Sequence, residues 1–154
     1  NASGCYGALA GLEEGREGRA ERLRAAVAAI EEAAGLYRAL GLQADLAMSL
    51  NNASNRYGAL AGLEEGREGR AERLRAAVAA IEEAVTTFRS YGIIPYLIIG
   101  LTNAVRRYME LAEHTNELDR ARVLALCREG KALCGPMQDR ERLAFFQQVR
   151  QELE

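Results

Sequence analysis

The chain has 154 residues, 49% hydrophobic and 27% charged, with 20 basic side chains against 22 acidic ones and a net charge of −2. This is the balance of one globular domain, long enough to bury a core without a metal or disulfide staple. The near-neutral charge argues against a nucleic-acid partner, because phosphate binding needs a basic face. One histidine (His114), three cysteines and no tryptophan leave few parts for a histidine triad or a zinc cluster. The expectation is no catalytic centre, no metal and no cofactor. Cys5, Cys127 and Cys134 are odd in number, and the last two fall seven apart on one expected helix, which argues against a disulfide framework and for a reducing, cytoplasmic setting. The longest apolar run, Ile93 to Leu101, is about half the roughly 20 residues of a membrane-spanning helix. No signal-peptide pattern is present, and the missing initiator Met points to a processed or excised piece of a longer chain.

Self-similarity organises the rest. Residues 6 to 33 recur without change as residues 57 to 84, an offset of 51, and Asn1-Ala2-Ser3 matches Asn52-Ala53-Ser54. Asn103-Ala104 follows another 51 residues on, and Tyr6, Tyr57 and Tyr108 keep the same spacing. Three units follow: a truncated one over 1–41, a second over 42–92 and a third over 93–135, with residues 136–154 left as a C-terminal cap. Identity this long beside diverged flanks suggests a recent or engineered duplication, since exposed Glu and Arg positions drift when packing alone constrains them. Many synonymous differences between the two coding copies would sink that idea.

In chain order, the apolar period predicts helices near 1–13, 19–40, 43–64, 70–91, 95–114, 117–134 and 137–152. Leu23, Val27, Ile30, Ala34 and Tyr37 form one stripe, repeated as Leu74, Val78, Ile81, Val85 and Phe88. Leu46, Leu50, Ala53 and Tyr57 mark the partner helix. Gly41, Gly92 and Gly135 stand where helices should stop, and Pro95 and Pro136 suit the first turn of the next. The stretch Gly62 to Gly69 reads as a loop or a frayed helix. No strand is expected, so the fold class is all-α, an array of antiparallel helix hairpins with about seven helices. The last helix, with apolar residues at 143, 146 and 149, reads as a cap that keeps such an array soluble.

Leu50-Asn51-Asn52-Ala53-Ser54-Asn55-Arg56-Tyr57-Gly58-Ala59-Leu60 as an inner helix and Ala77-Val78-Ala79-Ala80-Ile81-Glu82-Glu83-Ala84-Val85 as an outer one resemble the tetratricopeptide repeats, particularly the long-repeat kind of kinesin light chains and bacterial signalling proteins. Leu101 to Tyr108 fits as the next inner helix, whereas Val123 to Lys131 fits as an outer helix only by dropping several residues and placing Gly130 where Ala84 sits. The family's usual period is about 34 residues, and the excess is expected mostly in an extended turn over Gly62 to Glu72. The resemblance implies a solenoid in a right-handed superhelix, whose inner helices line a concave groove for a peptide or a partner's helix. It also implies that an inner-helix asparagine holds the ligand backbone, a role that falls on Asn52 and Asn103, with Asn1 at the equivalent position.

Helical geometry places Met48, Asn51, Asn52 and Asn55 on one face, and Ile99, Thr102, Asn103 and Arg106 repeat it in the next unit. An asparagine offers both a donor and an acceptor, so it can pair with a peptide backbone of any sequence; the same amides could equally bridge neighbouring helices. Arg106 is favoured over Arg107 for a ligand carboxylate, because adjacent arginines point to different faces. The glycines at 62, 66 and 69 lack the Lys-Ser/Thr of a phosphate loop, and the alternating charges from Glu64 to Arg75 read as a solvated surface. Ile93 to Leu101 is either a helix enclosed on both sides or a self-association patch. The leading expectation is a non-enzymatic interaction scaffold with a protein or peptide partner. The alternative is a self-assembly module that forms a homo-oligomer through the truncated N-terminal edge or through Ile93 to Leu101. Catalysis through acids such as Glu82 or Glu113 is a distant third, for want of a pocket.

Overall fold

The computed structural model describes residues 15–154; the expected helix over 1–13, Asn1 and Cys5 lie outside them. Among the described residues six α-helices follow one another: α1 (Arg16–Leu40), α2 (Gln43–Ala61), α3 (Arg67–Ser90), α4 (Ile94–Thr115), α5 (Arg120–Met137) and α6 (Arg140–Leu153). There is no strand among the described residues. Each helix packs on the next in the chain, and α2 also meets α4 while α4 meets α6. None of these helices is long and apolar enough to cross a membrane.

Four of the described helices, α1, α3, α4 and α5, end where a left-handed residue closes their backbone bonds. Gly41 (φ 70°) and Gly92 (φ 64°) do this after α1 and α3, with Leu42 N–H donating to the Tyr37 carbonyl at 2.9 Å and Ile93 N–H to that of Phe88 at 2.9 Å. After α5 the same device is built on Gln138 (φ 56°), with Asp139 N–H donating to the Cys134 carbonyl at 3.1 Å. The step from Gly92 to Gln138 is 46 residues rather than 51, so the third unit is five residues short. This corrects the expected stop at Gly135 and start at Pro136: both lie inside α5. Proline removes only one intrahelical bond there, a single turn before the helix ends. Pro95, by contrast, stands in the first turn of α4 as expected.

The extended turn between α2 and α3 is also corrected. It closes within Gly62 to Gly66, and Arg67 already begins α3. Glu64 draws the turn in, its carbonyl accepting from Arg70 Nε at 2.8 Å and its carboxylate from Arg73 Nε at 3.1 Å. The length beyond a 34-residue period is therefore carried by long helices, 25 residues in α1 and 24 in α3. The alternating charges there are more than a solvated face. Arg16 Nε donates to the Leu63 carbonyl at 2.9 Å, and its counterpart Arg67 donates to that of His114, so each odd-numbered helix starts by capping the end of the next even-numbered one.

The main core is shared by α3 to α6 and centres on Ile81, Phe88, Leu101, Val105, Leu126 and Phe146, with Ala47 the one fully buried contribution from α2. Two smaller clusters attach α1: Leu23 and Val27 with Leu60, and Ile30 with Ala53 and Ala80. The run from Ile93 to Leu101 goes into this packing. Leu97, Ile98, Gly100 and Leu101 are buried, Ile93, Ile94 and Ile99 are partly so, and only Pro95 and Tyr96 are exposed. Most of the run is thus enclosed by neighbouring helices, with Tyr96 left at the surface.

Candidate binding surface on the even-numbered helices

Between α2 and α4 the expected residues divide. Met48 and Asn52 are exposed and Asn51 and Asn55 half-buried on α2, whereas on α4 Arg106 is exposed, Ile99 half-buried, and Thr102 and Asn103 buried. The Thr102 hydroxyl donates to the Ile98 carbonyl of its own helix at 2.9 Å, so Thr102 is not a groove donor. Asn103 donates through Nδ2 to Asn51 Oδ1 at 2.9 Å. That amide pair bridges α2 and α4, the structural role foreseen as the alternative for these residues. Asn52 stays exposed beside this pair.

The α4 half is flanked by α6. Ile99, Thr102, Asn103 and Arg106 line a small cavity of about 70 Å³ with Glu141, Arg142 and Phe145, and the Arg106 guanidinium lies 5.4 Å from the Phe145 ring centroid. Arg106 is thus the arginine on the open side, as its spacing predicts. Arg107 turns inward, where its Nη1 pairs with Glu110, its Nη2 lies 3.5 Å from Asn55 Oδ1 and its Nε has no partner among the described residues. Gly58 makes room for it: a Cβ there would fall 2.1 Å from Nη1.

Beneath this surface lies a repeated polar bond that spacing alone did not reveal. Tyr57 donates its hydroxyl to Glu31, and Tyr108, 51 residues on, donates to Glu82 at 3.0 Å. Glu82 also receives both Nε (2.8 Å) and Nη2 of Arg122 from α5. Burial opposes ionisation of Glu82, but the Arg122 and Tyr108 bonds outweigh it and hold the carboxyl below its ordinary value. Burial and the adjacent carboxylates push both tyrosines up to about 12. The signal was present, since Tyr and Glu both repeat at 51, but their offset of 26 crosses two helices and no single helical period displays it. Such a carboxylate, saturated by donors, is a strut rather than a proton-transfer group.

The thiols are equally passive. Cys127 and Cys134 are buried and in no disulfide among the described residues, and burial pushes Cys127 up to about 11 and raises Cys134 as well, which suppresses the reactive thiolate. Among the described residues no cluster of His, Cys, Asp or Glu could hold a metal ion. No family model matches the chain, and no curated protein matches it either. The resemblance to tetratricopeptide repeats rests on the chain's own residues.

Proposed function

We propose that the chain is a non-enzymatic interaction scaffold that binds an extended peptide or a partner's helix along α2 and α4. The observation that carries this is the exposure of Asn52, beside Met48 and half-buried Asn55 on α2, together with exposed Arg106 on α4. An open amide can take both backbone groups of a ligand residue, Met48 offers adaptable apolar contact, and Arg106 offers charge to a carboxylate.

The reading extends to the architecture. The contacts of α2 with α4 and of α4 with α6 support a solenoid of the tetratricopeptide type, with the even-numbered helices inside and units over 1–41, 42–92 and 93–135. In this arrangement α6 stands as a third inner helix as well as the cap over 136–154. With the third unit five residues short, Leu46, Leu97 and Leu143 become equivalent, and Val149 takes the position of Asn52 and Asn103. The ligand contact then fades towards α6, and Asn52 is the principal anchor. The buried, unreactive thiols support the cytoplasmic assignment.

The test is selection from a displayed library of random short peptides, followed by NMR titration of the best binder. Shifts concentrated at Met48, Asn52, Asn55, Ile99 and Arg106 are expected, and Asn52→Ala should weaken binding about tenfold, roughly 1.4 kcal/mol. Shifts confined to α1 or α5, or no enriched peptide at all, would overturn the reading.

A further inference from the structure

Exposed apolar side chains are distributed unevenly over the molecule. Leaving Met48 to the surface already described, every exposed large apolar or aromatic residue among the described residues lies at the end where odd-numbered helices finish and even-numbered ones begin. At each of the three corners of this end, the residue just before the left-handed cap is one of them: Leu40 (70% exposed) before Gly41, Tyr91 (61%) before Gly92, and Met137 (46%) before Gln138. Leu36 and Leu42 widen the patch at the first corner and Tyr96 at the second. The helix cap does not call for these side chains, because the apolar contact that accompanies it joins the residues on either side of the cap at other positions. The opposite end of the molecule is polar, with Glu65, Arg67 and Glu68 at one corner and Glu117, Asp119 and Arg120 at the other, all exposed. A ladder of three apolar side chains at equivalent positions, on one edge only, is the form of an interaction surface.

The occupant follows from the symmetry of the ladder and from the charges at its ends. Tyr91 is its middle member. Asp45, in the first turn of α2, is exposed beside Leu42, and Arg140, in the first turn of α6, is exposed beside Met137. We infer that this edge binds the same edge of a second copy of the chain, antiparallel, about a two-fold axis through Tyr91. Leu40 then meets the partner's Met137, Tyr91 meets the partner's Tyr91, and Asp45 faces the partner's Arg140 at both ends, as an isologous contact requires. An anionic membrane would meet Asp45 at one end of the strip. The edge is separate from the peptide surface on α2 and α4 and does not depend on it.

Sedimentation equilibrium over a range of concentrations tests this. The wild type should be a dimer, Tyr91→Glu should be monomeric, and Asp45→Arg should raise the dimer Kd about tenfold. The double variant Asp45→Arg with Arg140→Asp should restore it. These positions are exposed, and unchanged circular dichroism melts confirm folding. A wild type that stays monomeric, or a dimer indifferent to Tyr91→Glu, overturns the edge as the interface. Loss on Tyr91→Glu without any response to Asp45→Arg overturns the antiparallel arrangement. Asn52→Ala should leave the dimer intact, which keeps this outcome distinct from failure of the peptide surface.

Discussion

Residues 16–33 of α1 and 67–84 of α3 have the same sequence, yet they are not packed alike. In α3, Ala80 and Ala84 are buried and the stripe continues to Phe88, which is 1% exposed and stacks on Tyr96 with ring centroids 5.7 Å apart. In α1 the equivalents Ala29, Ala33 and Tyr37 are only half-buried. The difference comes from the neighbours, since α3 lies between α2 and α4 and is covered from both sides. Identical sequence gives the same helix with the same internal pairs, Glu17 with Arg24 and Glu68 with Arg75. The energetic weight of each residue is set by what stands opposite.

Substitutions at equivalent positions turn this comparison into measurements. The largest expected contrast is Phe88→Ala, about 4 kcal/mol for a fully buried aromatic in the main core, against about 1 kcal/mol for Tyr37→Ala; equal losses in urea unfolding would show that the two copies are packed alike after all. Next is a position where size is exchanged between units. In the second unit small Gly100 of α4 lies against Phe88 and Val85 of α3, whereas in the third large Phe146 of α6 lies against small Gly130 of α5. A Cβ on Gly130 would fall 2.3 Å from the Phe146 ring, so Gly130→Ala should cost about 3 kcal/mol, and adding Phe146→Leu should recover part of it. A neutral Gly130→Ala would refute that account of the third unit.

Alkaline pH probes the bond common to both units. The folded values of Tyr57 and Tyr108, raised to about 12 from 10.0, mean that the fold binds their protons more tightly than the unfolded chain does. Their stabilisation is fully present below pH 10 and is lost as pH rises through about 12. Melting temperature should fall over that window, and Tyr57→Phe with Tyr108→Phe should flatten the fall. The smallest effect concerns Ser54, whose buried hydroxyl has no partner among the described residues and whose counterpart 51 residues on is Val105, fully buried in the main core. Ser54→Ala should raise stability by about 1 kcal/mol; a loss would reveal a bond to that hydroxyl.

These contrasts also mark what the sequence made legible. Apolar periodicity predicts the six described helices to within a few residues, and Gly41 and Gly92 mark two of the ends, because both signals are local. The end of α5 escaped, since Gln138 takes the left-handed conformation that glycine takes at the equivalent ends of α1 and α3, and nothing local distinguishes it from Gly135 three residues before. The turn after α2 looked long because glycines at 66 and 69 weaken a helix, yet Arg70 and Arg73 folding back on Glu64 make α3 start early. Of the residues that spacing placed on the candidate face, Met48, Asn52 and Arg106 are exposed, while Arg107 is half-buried. The same spacing placed Thr102 and Asn103 on the open side because a period shows which residues share a face, not which neighbouring helix covers it. The pairs Tyr57 with Glu31 and Tyr108 with Glu82 needed two helices in register before they could be seen.

The most direct test of the account is a paired measurement of peptide affinity and melting temperature on Asn52→Ala and Asn103→Ala, which stand 51 residues apart. Asn52→Ala should lose affinity about tenfold with the melting temperature unchanged, whereas Asn103→Ala should lower the melting temperature by breaking the bridge to Asn51. Affinity that is indifferent to Asn52→Ala, or equal effects of the two substitutions on both quantities, would contradict the assignment of one asparagine to the ligand and the other to the fold.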